Sequence, residues 1–250
     1  METNWKKIRR AFDPSGMLLS LSGIVLGELF AVAEYHVSWG VALALLLTTV
    51  LIHIYMMNSN KWWMIASIAS AVLTLWLSYG TLFSLEVLIL LFFGYFIIRL
   101  AKGFGGKSRV SDGILTCLLK GPVALFGAYF VCTHSFPFWF FLFPSLSIGL
   151  LSVAADGAAD NYGKTLTNLL IYIGVALMVT YSGLRIFAPF HYLFLITLPV
   201  FIYLTVRMYI KKEQTPDSYR PALALSTFAL ALLTGIGFIG YLFQCLSLVH

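Results

Sequence analysis

At 250 residues, the chain is 60% hydrophobic and only 10% charged, against about a quarter charged in ordinary soluble domains. A soluble protein of this size could not cover its surface with so few charges, so the sequence reads as an integral membrane protein in which residues 1–250 form one domain. The net charge of +6 comes from lysines and arginines in loops beside apolar runs, which fits a bilayer surface and argues against a nucleic-acid partner.

The first fifteen residues form a short basic head carrying Lys6, Lys7, Arg9 and Arg10, with Trp5 as an interfacial anchor. Apolar runs near the ~20 residues needed to cross a bilayer follow at 16–34, 39–57, 62–79, 82–100, 112–132, 136–155, 165–183, 187–207 and 222–245. That makes nine predicted spans, and the tight break at Ser78-Tyr79-Gly80-Thr81 leaves eight or ten open. No small-residue cleavage site follows the basic start, so the first run is expected to stay as a helix. Cys117, Cys132 and Cys245 all lie in apolar runs. The first two share one predicted helix, roughly 22 Å apart at the helical rise, so they cannot pair. No metal-type cysteine spacing is present.

With nine spans, fourteen of the sixteen lysines and arginines fall on one side: in the head and in the loops after spans 2, 4, 6 and 8. Arg185 lies opposite and Lys120 within a span. Basic residues concentrate in cytoplasmic loops. The expected fold is therefore all-α and polytopic, in the cell membrane, with a cytoplasmic N-terminus and an outer C-terminus. The polar loops around residues 58–61, 101–111, 156–164 and 211–220 then share the cytoplasmic face.

One of those loops carries a dense polar cluster, Asp156-Gly-Ala-Ala-Asp160-Asn-Tyr-Gly-Lys164. Carboxylates at i, i+4 on a helix share one face a turn apart, where their repulsion is unfavourable. A divalent cation between them would reverse that sign. Magnesium is held by one or two carboxylates plus substrate phosphates, so Asp156 and Asp160 suit a magnesium–diphosphate anchor, with Lys164 as an added point charge. On spacing alone, the same residues also read as a polar loop that keeps a helix end in water.

Gly121-Pro-Val-Ala-Leu-Phe-Gly-Ala-Tyr-Phe130, Gly149-Leu-Leu-Ser-Val-Ala154, the Asp156-x-x-x-Asp160 pair and Gly163-Lys-Thr-Leu166 together resemble the UbiA superfamily of membrane prenyltransferases. The likeness is greatest to the dihydroxynaphthoate polyprenyltransferases of menaquinone synthesis. Phe12-Asp13-Pro14 and Ser20-Leu-Ser-Gly-Ile-Val-Leu-Gly27 look like the opening helix of that family. The resemblance implies nine helices around a central cavity, with Asp-rich motifs after helices 2 and 6. It also implies Mg2+, a polyprenyl diphosphate and an aromatic acceptor, with Asp156 and Asp160 as catalytic and metal-binding residues.

The chain departs from the family pattern after span 2. Where the family has N-x-x-x-D-x-x-x-D, this sequence places Met57, Lys61 and Ile65. The Asn and Arg that precede the second Asp pair are also absent. Lys61 then has two readings: a loop lysine where metal binding is lost, or a cation that pairs with Asp156 or Asp160, or with a diphosphate. Lys120, inside span 5, either snorkels to the interface or faces a cavity towards phosphate or Asp156. Glu28 and Glu86 are weaker candidates. The five histidines have no metal-ligand spacing, and His53 could line a cavity or simply pack.

Two functions follow from these expectations. The first is transfer of a polyprenyl group to an aromatic quinone precursor, with diphosphate bound by Lys164, Lys61 and Lys120. The alternative is a non-catalytic descendant that binds isoprenoid lipid or quinone, or partners a related enzyme. Paired Gly/Pro-broken helices of the kind that carriers use are not found.

Overall fold

Backbone groups in hydrocarbon must find their hydrogen bonds within their own segment, which turns long apolar runs into helices. The computed structural model describes residues 12–58, 60–81, 86–92, 94, 96, 109–136, 139–159, 163–184, 189–210 and 216–247. These are helical throughout, with short connections and no strand among the described residues. In chain order they are α1 (Pro14–Glu34), α2 (Trp39–Asn58), α3 (Lys61–Tyr79), α4 (86–92), α5 (Arg109–Leu118), a π-helical turn (Leu119–Val123), α6 (Ala124–Thr133), α7 (Leu142–Ala159), α8 (Lys164–Gly183), α9 (Leu198–Ile210) and α10 (Arg220–Ser247). Single-turn 3-10 segments precede α7 and α10, and a longer one, Pro189–Thr197, leads into α9.

Eight of the described stretches are long and apolar enough to cross a membrane: Pro14–Glu34, Trp39–Asn58, Lys61–Tyr79, Val110–Thr133, Trp139–Gly157, Lys164–Gly183, Tyr192–Ile210 and Arg220–Tyr241. The protein is therefore a multi-pass membrane protein. Each stretch coincides with a predicted span, within a few residues at its ends. The remaining predicted span, at 82–100, is helical over 86–92 and otherwise lies largely outside the described residues. One boundary differs in a way that matters. Asp156, expected in the loop after span 6, sits on α7 itself, which continues to Ala159.

Lipid tails are as apolar as leucine, so helices in a membrane associate through close packing and polar contacts rather than by leaving water. Small residues set those contacts here. A Cβ at Gly23 would lie 2.4 Å from the Lys120 carbonyl oxygen, and one at Gly27 would lie 2.3 Å from that of Leu125. Backbone therefore meets backbone between α1 and the π turn with α6. On the other side, a Cβ at Gly121 would come 2.3 Å from the Ser145 carbonyl, and one at Gly149 would come 2.4 Å from that of Cys117. Val110–Thr133 is clamped between α1 and α7 at the level of Lys120.

Polar contacts fix the other neighbours. Thr48 on α2 is hydrogen-bonded to Ser70 (2.8 Å) and Thr74 (3.0 Å) on α3, and Ser147 on α7 donates to the Gly174 carbonyl on α8 at 2.6 Å. The aromatic core gathers around Phe30, whose ring stacks on Phe141 at 4.3 Å and meets Phe238 edge-on at 5.0 Å. At one end of the bundle, Ser78 donates to the Val131 carbonyl and Tyr79 packs edge-on against His134. The first residues of α1 and α10 meet the last turns of α2 and α7 at the opposite end, and the candidate site lies there.

Candidate functional site

Each charged group at this end owes its position to a local feature of sequence. Asp13 caps α1 immediately before Pro14, whose ring suits the first helical position. Its backbone is left-handed, φ 32°, a region that aspartate tolerates better than most residues. Its carboxylate makes no capping bond to α1 and folds back over Gly16, where a Cβ would lie only 2.1 Å from Oδ2. Glycine at position 16 is what leaves room for that carboxylate.

Arg220 opens α10 after the Pro216–Tyr219 turn. Its guanidinium forks onto Asp13, with Nη1–Oδ1 and Nη2–Oδ2 both 2.8 Å, and Nη2 also reaches Asp156 Oδ1 at 3.0 Å. Lys120 emerges from the π turn, where Pro122 has no N–H and its ring would clash with the carbonyl four residues back in an α-helix. Its Nζ lies 2.5 Å from Asp156 Oδ2. Asp156 thus has a different cation on each oxygen. The four groups form one chain, Asp13–Arg220–Asp156–Lys120, with two positive and two negative charges.

The chain of ion pairs offsets several unfavourable placements. A cation at the start of α10 and an anion near the end of α7 both oppose the helix dipole, and charges near hydrocarbon are costly unless paired. The four side chains keep between 14% and 23% of their surface exposed, so the cluster is reachable rather than sealed. His53, near the end of α2, flanks it. Its Nδ1 is 3.5 Å from Ser20 Oγ, and its Cε1 would be 3.0 Å from a Cβ on Gly16.

Among the described residues towards this end of the bundle, six buried side-chain polar atoms have no hydrogen-bond partner: Arg220 Nε, His53 Nε2, Ser152 Oγ, Thr167 Oγ1 and both amide atoms of Asn168. Ser152 is one turn before Asp156 on α7. The antiparallel contact of Ser147 with Gly174 brings Thr167 and Asn168 to the level of the turn that carries Asp156. An unmade hydrogen bond in a buried site costs about 1–3 kcal/mol, so the surroundings of the cluster favour a polar ligand or water. Lys120 offers a point charge and Arg220 a planar fork, the two cation types that bind phosphate oxygens.

Of the residues singled out from sequence, Lys120 and Asp156 are brought into contact. Asp160 lies outside the described residues. Lys164 is the first residue of α8, directly after Gly163 (φ 85°). Lys61 opens α3 in an exposed position, with Nζ 5.5 Å from the centre of the Trp62 ring. The Asp156 oxygens, one expected partner of Lys61, are held by Lys120 and Arg220. Asp13 and Arg220 were not singled out for chemistry. Asp13-Pro14 and Arg220-Pro221 each put a charge beside a proline at the start of an apolar run, which is the one signal that could have marked them.

Magnesium bound together with a diphosphate needs one or two protein carboxylates. Asp156 is a suitable donor by type, and an ion there would share its oxygens with Lys120 and Arg220. Among the described residues there is no group of three or more metal-binding side chains. Comparison with protein-family profiles, with curated proteins and with solved structures gives no match to this chain.

Proposed function

We propose that this chain is a UbiA-like membrane prenyltransferase that moves a polyprenyl group from its diphosphate to an aromatic quinone precursor at the cytoplasmic face of the cell membrane. The full proposed architecture has nine spans around a lipid-facing cavity, residues 82–100 making the fourth. The observation that carries the reading is the pair of cations, Lys120 and Arg220, converging on Asp156 at one end of an apolar bundle. That end suits a headgroup with two phosphates, while the prenyl tail stays in the hydrocarbon.

In this reading, the diphosphate draws Lys120 and Arg220 from Asp156 onto its own oxygens, and Lys164 and Lys61 add charge from the neighbouring helix starts. Stabilising the departing diphosphate is then the main protein contribution to the rate. Asp156 and Asp160 would hold Mg2+, which would supply further charge neutralisation of the leaving group. Asp13 keeps Arg220 aligned through its two-pronged pair.

A second reading is favoured by a specific observation. The four-charge chain is already neutral, and Lys61 stands where the family places a metal-binding acid. Such a site suits a non-catalytic descendant that binds isoprenoid lipid or quinone, or partners a related enzyme. Incubating purified protein with a labelled polyprenyl diphosphate, magnesium and an aromatic acceptor separates the two. Diphosphate release abolished by Asp156→Asn is expected for the enzyme; binding without release would establish the second reading.

A further inference from the structure

Glu28 lies in the middle of α1, far from the charge cluster, and has no role in the proposed reaction. It is only 6% exposed, and its Oε1 is buried without a hydrogen-bond partner. Ile24, one turn earlier on the same face, packs with Leu45 and Leu46 of α2 and with Ala124 and Ala128 of α6. The Ser20–His53 contact sets α1 antiparallel to α2, which places Glu28 level with Leu45. Glu28 therefore occupies the seam between α1, α2 and α6.

Among the described residues, the helices packed on α1 offer it no cation. His53 of α2 is at the level of Ser20, eight residues or about 12 Å along the axis. Lys120 is committed to Asp156 and Arg220 to Asp156 and Asp13. The hydroxyl of Tyr129 on α6 donates to Glu34. The α10 helix approaches nearby through Gly235, which packs on Leu29. Gly23 meets Lys120 and Ala124, and Gly27 meets Leu125 and Ala128, so α1 and α6 run in parallel and the Cys132 thiol of α6 falls about one turn beyond Glu28. That thiol also lines a cavity of about 290 Å³ with Tyr35, His36, Ser78 and His134, at the end opposite the charge cluster.

An unpaired carboxylate inside an apolar span is too costly to persist. A neutral carboxylic acid at the same place is not. We propose that Glu28 is an intramembrane proton-binding site, loaded from the cavity lined by Cys132, His36 and His134. The step is simple: the carboxylate takes one proton to become the acid, and no other bond changes. It is independent of prenyl transfer.

The test uses the full-length protein in detergent. A hydrophobic carbodiimide, which reacts with protonated carboxyls in apolar surroundings, is expected to modify Glu28, with a yield that falls as pH rises and is lost in E28Q. The infrared carbonyl band of a protonated acid should be present in the parent protein and absent in E28Q, which is nearly isosteric and preserves packing. Absence of both the adduct and the band would overturn the proposal. For the route, a variant with C117S and C245S leaves Cys132 as the sole thiol. Alkylating it with N-ethylmaleimide should slow hydrogen–deuterium exchange of the Glu28 band at least tenfold. Unchanged exchange would overturn the assignment of the cavity as the entrance.

Discussion

Arg220 holds Asp13 through two parallel N–H···O bonds of 2.8 Å each, tying the start of the last helix to the start of the first across 207 positions of sequence. A third bond from the same guanidinium, at 3.0 Å, reaches Asp156. One side chain therefore joins three helices. Removing one partner of a buried pair is costly chiefly because it leaves the other charge unpaired.

Arg220→Gln leaves two carboxylates facing each other and is expected to destabilise the folded protein by about 2 kcal/mol or more. The estimate lies below the figure for a sealed pair because all the groups keep some solvent. Asp13→Asn retains one acceptor and should cost less. In a double-mutant cycle followed by thermal unfolding in detergent, the two changes should be strongly non-additive. Additivity would mean that the fork contributes nothing.

Gly16→Ala tests the same pair from the side. The added methyl would sit 2.1 Å from Asp13 Oδ2 and 3.0 Å from His53 Cε1, so the carboxylate must leave its place over the helix. The expected loss of stability is at least that of Asp13→Asn, and it should shrink in an Asp13→Ala background, where no carboxylate oxygen is left for the methyl to meet. Alanine is otherwise the better helix former by about 1 kcal/mol, so any destabilisation reports the crowding of Asp13 and His53.

Gly23→Ala should separate α1 from the π turn, since its Cβ would meet the Lys120 carbonyl at 2.4 Å and backbone cannot rotate away. Gly127→Ala is the matched control, because a Cβ there meets nothing within 4 Å. The first change should lower the unfolding temperature and the affinity for a polyprenyl diphosphate. The second should leave both within error.

Pro122→Ala should let the π turn close into a regular α-helix, because the missing N–H is restored. Losing the one-residue offset would rotate Lys120 by about 100° around the axis, away from Asp156. Stability is expected to fall, because the same rotation breaks the close backbone contacts of Gly121 with Ser145 and of Gly23 with Lys120, and the coupling energy between Lys120→Met and Asp156→Asn falls towards zero in the Pro122→Ala background. Undiminished coupling would show that the lysine reaches Asp156 whatever the helix phase.

Which runs cross the membrane was legible in the sequence, because hydrocarbon admits few polar groups and leaves apolar runs no structure but a helix. The eight described spans follow the predicted runs closely. Asp156 and Lys120 were also visible as charges out of keeping with their surroundings. What the sequence could not determine was their partner. Asp156 looked like half of a metal pair with Asp160, and in the folded chain both its oxygens are engaged by Lys120 and Arg220. Arg220 counted only as one more basic residue near a loop, and Asp13 only as part of a helix-opening motif. Their contact depends on where two helix starts end up after the intervening chain has packed, and glycines at positions 16, 23, 121 and 149 decide how closely that packing can occur. Composition settled the solvent of this protein; the close approach of backbones in three dimensions settled which charges meet in it.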